Sequence, residues 1–283
     1  MIVFFVLSYK LPDQVARLVH RIESDPRSFV LIHHDPSTAI PLGLESASQR
    51  HVLADPIPIR WGDHTLVTAM LKGIDWVARS RLDPDWVLFL SGQDYPITPL
   101  DHVHAELGAA AADTDAFVRY ETLTDRREDN TTAWQRACWT RYYRRWITVM
   151  DHTVTVPRRH PFRDGLHCQV GSCWMNLGRA AWTGLTGHPR RRSLERYYRS
   201  TVLPDESLIH TLLLDVDGLR ITRTDRRFLR WPSPGDAHPD LLTTADVRPA
   251  VSSDALFARK FDESIHPGVL DAVDAAVDSH EDA

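Results

Sequence analysis

The opening of the chain constrains its fold most. Ile2-Val3-Phe4-Phe5-Val6-Leu7 is an apolar run rich in β-formers, long enough for a strand buried on both faces and too short for a helix. An amphipathic helical pattern follows from Leu11-Pro12 to about Ile22. Ser28–His33 then returns to strand composition and ends at His34-Asp35-Pro36. Strand, helix and strand at this spacing predict a right-handed crossover and a parallel sheet, with ligands at the carboxyl ends of its strands. Ser8 and Asp35 fall at those ends. Asp35 can hydrogen-bond a uracil or a ribose, and it can equally start a turn with Pro36.

Further along, His51–Leu53 predicts a third strand, and Trp61-Gly62-Asp63-His64 leads into a helix from Thr65 to about Arg79. Trp61 reads as an ordinary core aromatic or, with Gly62, as a place where a sugar nucleotide approaches the backbone closely. Trp86–Leu90 predicts a central strand running into the polar turn Ser91-Gly92-Gln93-Asp94-Tyr95-Pro96. A helix over Thr98–Leu107, a turn over Ala109–Asp115 and a strand over Ala116–Tyr120, ending at Glu121, come next. From Leu123 to Arg159 the composition shifts to arginine and aromatic residues, Trp134, Trp139, Tyr142, Tyr143 and Trp146 among them. Interspersed acidic residues, a net charge of −5 and the lack of a recognition motif argue against nucleic acid as the partner. Aromatic faces and planar guanidinium groups suit one wall of a sugar site.

Cys168–Leu177 predicts a turn and a strand, followed by a helix over Arg179–Thr186. In Thr201–Leu213, Pro204 suits a first helical position, and Asp205 and Glu206 suit the positive start of a helix whose apolar face is Leu208, Ile209, Leu212 and Leu213. Glu206 is then either a fixed carboxylate ready for chemistry or one of two acids favouring the helix dipole. Leu219–Arg223 predicts a strand. Phe228-Leu229-Arg230-Trp231 opens the proline-rich loop Pro232–Pro239, and an acidic, alanine-rich helix starts near Pro267.

A divalent ion that clamps a pyrophosphate needs paired oxygen ligands, and Asp94 is the one aspartate after the central strand. Asp83-Pro84-Asp85, Asp113-Thr114-Asp115 and Asp215-Val216-Asp217 each precede a predicted strand and read as turns. The histidine and cysteine spacings match no closed tetrahedral metal pattern. No P-loop and no nucleophile elbow is present.

Six pieces in order, Ile32-His33-His34-Asp35, Arg60-Trp61-Gly62, Trp86 to Ile97, Gly171-Ser172-Cys173-Trp174, Pro204-Asp205-Glu206 and Leu256 to Asp262, give the chain a resemblance. It resembles the core-2/I-branching β-1,6-N-acetylglucosaminyltransferases and the related peptide O-xylosyltransferases, glycosyltransferase family 14. The resemblance implies an α/β fold of the GT-A nucleotide-diphospho-sugar transferase type with a mostly parallel central sheet. It implies one domain, with a nucleotide-sugar half over residues 1–120, an acceptor and catalytic half over 121–266, and a C-terminal helix or tail over 267–283. The implied reaction is inverting transfer of N-acetylglucosamine or xylose from a UDP-sugar to an acceptor hydroxyl, with Glu206 as general base and no metal or other cofactor. Ser8, Asp35, Trp61, Gly62, Asp94, Arg248, Arg259 and Lys260 are the implied donor residues. The adjacent cations Arg259 and Lys260, set between Phe257 and Phe261, would take the charge of the departing UDP. Arg248 matches a family arginine in type and order, with a loop of different length between. Glu121, Trp174 and Trp231 are the implied acceptor residues, and Trp174 can equally be a buried support for Glu206.

Two other classes fit Glu206: a hydrolase pairing it with Asp94 or Glu121, and a carbohydrate-binding protein without turnover. Neither uses the cationic pair. A hydrophobic content of 43% over 283 residues supports a sizeable core. Three cysteines suggest reduced thiols in a cytoplasm. No run of about 18 apolar residues occurs to span a membrane. The basic charge is almost all arginine, which with the many alanines points to a GC-rich bacterial coding sequence.

Overall fold

The computed structural model describes residues 1–40, 43–150, 152–233 and 238–281. Positions 234–237 of the proline-rich loop and the last two residues of the acidic tail lie outside these. The chain divides into two compact units. One collects Met1–Pro56, Pro84–Asp113 and Thr224–Ala283; the other collects Ile57–Asp83 and Thr114–Arg223.

In the first unit the strands Ile2–Ser8 (β1), Ser28–His34 (β2), Arg50–Val52 (β3) and Trp86–Ser91 (β4) lie parallel in the order β4-β1-β2-β3. Val3, Phe4, Phe5 and Val6 are fully buried, as are Val87 to Leu90, so both strands are continuously apolar instead of alternating. Burying each of these large side chains contributes roughly 1.5–3 kcal/mol. The crossover helix Pro12–Glu23 starts where Leu11 turns left-handed, at φ 56°, and Pro12 takes the first helical position. It buries Val15, Leu18, Val19 and Ile22.

A short second ladder joins Arg227–Phe228, Phe257–Ala258 and Tyr95–Pro96. The helix predicted from Thr98 begins at Leu100 and runs to Ala110. Pro99 is extended, and the residue before a proline is pushed out of the helical region. The helix Thr244–Val251, which carries Arg248, was not anticipated. It is marked by reciprocal hydrogen bonds between Thr243 and Asp246, the capping-box pattern. The acidic tail forms Val269–Glu281.

In the second unit the helix Thr65–Arg79 has the predicted ends. The single strand expected over Ala116–Tyr120 is two short ones. Ala116–Phe117 pairs with Asn176–Gly178 and Ile221–Thr222, while Tyr120–Thr122 pairs with Gln169–Gly171. The change of partner occurs where Gly171 crosses the Arg119 carbonyl so closely that any Cβ would overlap it. The arginine and aromatic stretch holds a helix, Ala133–Tyr143, and a hairpin, Arg144–Val149 with His152–Pro157. A further helix, Arg191–Tyr198, buries Leu194 and Tyr198. The fold is α/β, with mostly parallel pairing in its longer strands and helices around them. Among the described residues no helix is long and apolar enough to cross a membrane.

Candidate active site

Two clusters of charged side chains are built by these units, one around Glu206 and one around Asp94.

Glu206 was expected in the first turn of an α-helix reaching Leu213. It sits instead on a separate 3₁₀ turn, Pro204–Glu206, and the α-helix starts at Leu208. Three hydrogen bonds explain the break. Leu203 is left-handed at φ 53° and donates its N–H to the Gly62 carbonyl at 2.9 Å. Its own carbonyl accepts the Tyr142 hydroxyl at 2.8 Å. The Ser207 hydroxyl donates to the Gln169 carbonyl at 2.6 Å, which holds Ser207 at φ −145° and out of the helical region. Gly62 can serve as an anchor because its own φ is +79°, favourable only to glycine.

Held this way, Glu206 keeps a side chain that is 32% exposed. One oxygen accepts Arg141 Nη1 at 3.1 Å, from the helix Ala133–Tyr143. Burial raises the Glu206 pKa above the ordinary glutamate value, and Arg141 pulls it back. The neighbouring Asp205 is almost fully buried, and burial followed by the Glu206 charge pushes its pKa up to about 7. Behind the turn, the Gly171-Ser172-Cys173-Trp174 segment is fixed by His210, whose Nε2 donates to the Ser172 carbonyl at 3.0 Å. Burial lowers the His210 pKa to about 4, so the ring is neutral at pH 7.

Asp205 therefore makes stability depend on pH. The unfolded carboxyl titrates near 3.8 and the folded one near 7, so folding takes up a proton in that window and stability falls as pH rises through it. The interval corresponds to roughly 4 kcal/mol. Asp205→Asn, which mimics the protonated form, is expected to melt near the unaltered chain at pH 4. At pH 8 it should melt higher, by about 5–10 °C. Melting curves across pH check this, and a gain that does not grow with pH would refute it.

The second cluster sits at the carboxyl ends of β1, β2 and β4. Asp94 was assigned to the donor, and its side chain is fully buried. Its Oδ2 accepts the Ser91 N–H at 2.8 Å and the Ser91 hydroxyl. Arg227 Nε lies 3.6 Å from one oxygen and Arg259 Nε 3.9 Å from the other. Arg227 also donates to the Phe89 and Asp225 carbonyls at 3.0 and 2.9 Å. Asp94 thus locks the turn that leaves β4. Phe257 and Phe261 are buried on either side of Arg259-Lys260. Two glutamines strap this segment: Gln14 donates to the Phe261 carbonyl at 3.2 Å and Gln93 to the same carbonyl at 3.1 Å. Lys10 pairs with Asp262 at 3.3 Å. Lys260 is half-buried, and burial, then Arg259 and Lys10, lower its pKa.

The other assigned residues fall as follows. Ser8 Oγ lies 2.9 Å from His34 Nδ1, opposite it in register. Asp35 is buried and accepts the Ser37 N–H at 2.8 Å, so it opens a turn. Trp61 is no core aromatic: it is 70% exposed, beside Gly62. Arg248 is exposed on its helix. Glu121 is exposed and accepts Gln135 Nε2 at 2.8 Å. Trp174 is half-buried, and Trp231 is 46% exposed. Glu206, Gly62 and Trp174 share the second unit with Glu121 and Trp61, whereas Ser8, Asp35, Asp94, Arg248, Arg259, Lys260 and Trp231 share the first.

The sequence reading missed Arg141, Arg227, Gln14 and Gln93. Only Arg141 had a local signal, the Thr132 to Gln135 capping box that starts its helix. The three other aspartate pairs are turn residues: Asp115 binds Arg220 at 2.8 Å and Asp215 binds Arg190 at 3.2 Å, while Asp85 holds the Met1 amino group at 2.7 Å. Among the described residues no group of three or more His, Cys, Asp or Glu side chains is placed to hold a metal ion. All three cysteines are free thiols.

Comparison with known proteins identifies the family. Residues 2–252 match the profile of the Core-2/I-branching enzymes, and the chain belongs to that family. It is 25% identical, over 79% of its length, to the β-glucuronosyltransferase GlcAT14A of Arabidopsis thaliana. It is 25% identical over 76% of its length to a xylosyltransferase of Ciona intestinalis. A second Arabidopsis β-glucuronosyltransferase, GlcAT14B, is 26% identical over 75% of the chain. The aligned regions cover 49% and 48% of the plant relatives and 26% of the Ciona one, so the chain spans about half and about a quarter of their lengths.

Proposed function

We propose that the chain is an inverting glycosyltransferase with a GT-A-type fold, moving a sugar from a UDP-sugar to a hydroxyl of a glycan or glycoside without a divalent metal. The observation that carries this reading is Glu206, an accessible carboxylate on a turn fixed by Gly62, Tyr142 and Gln169. Burial raises its proton affinity above that of a surface glutamate, as suits a general base. Glu206 takes the acceptor proton as the hydroxyl oxygen bonds to the anomeric carbon from the face opposite UDP. The bond to the diphosphate breaks in the same step, and the configuration inverts. Negative charge develops on the leaving UDP, and Arg259 and Lys260, with Arg248 further along, compensate it.

Metal independence is supported by Asp94, which faces inward between Arg227 and Arg259. The same burial removes Asp94 as the second carboxylate of the hydrolase alternative and leaves that reading to Glu121, which is exposed and bonded to Gln135. The sugars suggested are N-acetylglucosamine and xylose by family resemblance, and xylose and glucuronic acid by the names of the relatives. We place the enzyme in a bacterial cytoplasm, in keeping with its free thiols.

The direct test is a thermal-shift and transfer panel with UDP and its N-acetylglucosamine, xylose and glucuronic acid esters. A ligand at 100 times its Kd stabilises by about 2.7 kcal/mol. A melting temperature unmoved by UDP and every UDP-sugar would refute the donor class. For the acceptor side, Trp231→Ala is expected to raise acceptor KM about tenfold through loss of a stacked ring, with donor KM unchanged. A raised donor KM alone would place Trp231 with the nucleotide.

A further inference from the structure

Apart from Gly62, which fixes the Glu206 turn, the residues of one cleft in the second unit have no part in the reaction as described. The cleft has a volume of about 450 Å³ and is lined by Gly62, Asp63, His64, Trp146, Thr153, Arg199 and the segment from Ser200 to Val202. That size lies within the roughly 300–1,000 Å³ of ordinary ligand sites. A smaller cleft of about 250 Å³ shares His64 and Arg199 with it and extends past Lys72 and Tyr198. Two covalent and hydrogen-bonded routes tie the larger cleft to Glu206. Val202 directly precedes the Leu203-Pro204-Asp205-Glu206 turn, and Gly62 accepts the Leu203 N–H.

Its chemistry suits a saccharide. Trp146 supplies an apolar ring, and that ring is fixed: Nε1 donates to the Thr140 and Arg141 carbonyls at 3.3 and 3.2 Å, and the backbone N–H donates to the Ser200 carbonyl at 3.0 Å. Arg199 supplies a planar fork of donors from an exposed position at the end of the helix Arg191–Tyr198. Asp63 supplies acceptors, one oxygen lying 3.0 Å from His64 Nδ1 and 2.8 Å from the Thr65 N–H it binds. A rigid aromatic face beside donors and acceptors matches a pyranose, whose C–H face is apolar and whose rim is hydroxyl. Nucleotide recognition is less well served, since among the described lining residues the Arg199 charge is balanced by Asp63 and no glycine-rich turn faces the cleft.

We propose that this cleft is an extended acceptor subsite, binding the neutral sugar units that neighbour the one attacked, with Trp146 and Arg199 as its determinants. The proposal rests on the glycosyltransferase reading and deepens it: the acceptor is an oligosaccharide or polysaccharide chain, not a lone glycoside. Sugars bound there add binding energy remote from the reacting hydroxyl, and this is spent in fixing that hydroxyl against the anomeric carbon.

The test uses neutral oligosaccharides of one to four residues, built from glucose, galactose, xylose or N-acetylglucosamine, in two measurements. In calorimetric titration, the tetrasaccharide of the preferred series is expected to bind about tenfold more tightly than the monosaccharide, and that gain should vanish in Trp146→Leu and in Arg199→Ala. In transfer assays kcat/KM should rise about tenfold or more with acceptor length, and the long-to-short ratio should collapse in both variants but not in Arg127→Ala, an exposed change outside the cleft. Affinity and rate independent of length, or a length gain kept by both variants, would overturn the subsite. Length-dependent binding without transfer to any acceptor would leave the subsite standing and overturn the transferase reading instead. Because Arg199 is exposed and lies outside the hairpin Arg144–Val149 with His152–Pro157, its variant also separates a lost subsite from a misfolded hairpin.

Discussion

Glu206→Gln is expected to lower kcat by about 100-fold or more while leaving UDP-sugar affinity within a factor of a few, because a positioned general base contributes about that much to proton transfer. Glutamine keeps the size and can still accept Arg141 Nη1, which binds the glutamate at 3.1 Å, so the turn should survive. The unaltered enzyme should show a matching pH profile. With the Glu206 pKa raised by burial and lowered by Arg141, kcat/KM should fall as pH drops through a value above the ordinary glutamate range. Replacing Arg141 by Ala should move that acid limb upward, since the group that favours the ionised form is then gone. Transfer by Glu206→Gln at nearly the original rate would remove Glu206 from the role of base.

Lys260→Ala is expected to lower kcat by about 100- to 1,000-fold and to weaken UDP itself, and the unaltered enzyme is expected to remain active in excess EDTA. In the proposed reaction the departing diphosphate needs fixed positive charge. The Phe257 and Phe261 side chains, buried at 0% and 1% exposure, hold Arg259-Lys260 so that little reorganisation is required. Lys260 titrates below an ordinary lysine, first through burial and then through Arg259 and Lys10. If its charge is what the reaction uses, activity declines on the alkaline side at a pH lower than a surface lysine would give. Arg127→Ala, on the exposed turn Arg127–Asp129, should change neither rate nor UDP affinity. Activity lost in EDTA and restored by Mn²⁺, with Lys260→Ala nearly silent, would put Asp94 forward as a metal ligand.

The β-α-β opening and the central strand were legible because their burial is written as unbroken apolar runs, and such runs survive whatever packs on them. The helices Thr65–Arg79 and Arg179–Thr186 were legible for the same reason, their apolar residues repeating on one face. The helix that follows Pro204-Asp205-Glu206 was legible, but the shape of that tripeptide was not. Its 3₁₀ turn is imposed by a carbonyl at Gly62, a hydroxyl at Tyr142 and a carbonyl at Gln169, none of them a neighbour in sequence. Arg226 and Arg227 look alike in the sequence. Only Arg227 is buried between the Phe89 carbonyl and Asp94, and no local pattern tells the two apart. Asp205 read as a dipole partner because burial is a tertiary property, whereas its neighbour kept its exposure.

The first unit is assembled from three separated stretches, Met1–Pro56, Pro84–Asp113 and Thr224–Ala283. An early strand of this unit waits for a later segment: Phe4 meets Phe257 at a ring separation of 6.1 Å, and Gln14 reaches Phe261. A ribosome that has released residues up to Arg223 has supplied the whole of the second unit and only part of the first. The cradle of Glu206 can therefore close during synthesis, while β1 and β4 must remain without Phe257 and Phe261 until those later residues have emerged. Between those moments Phe4 lacks the ring that packs on it, and an exposed apolar spot of this kind is where a chaperone holding nascent chains would find its hold.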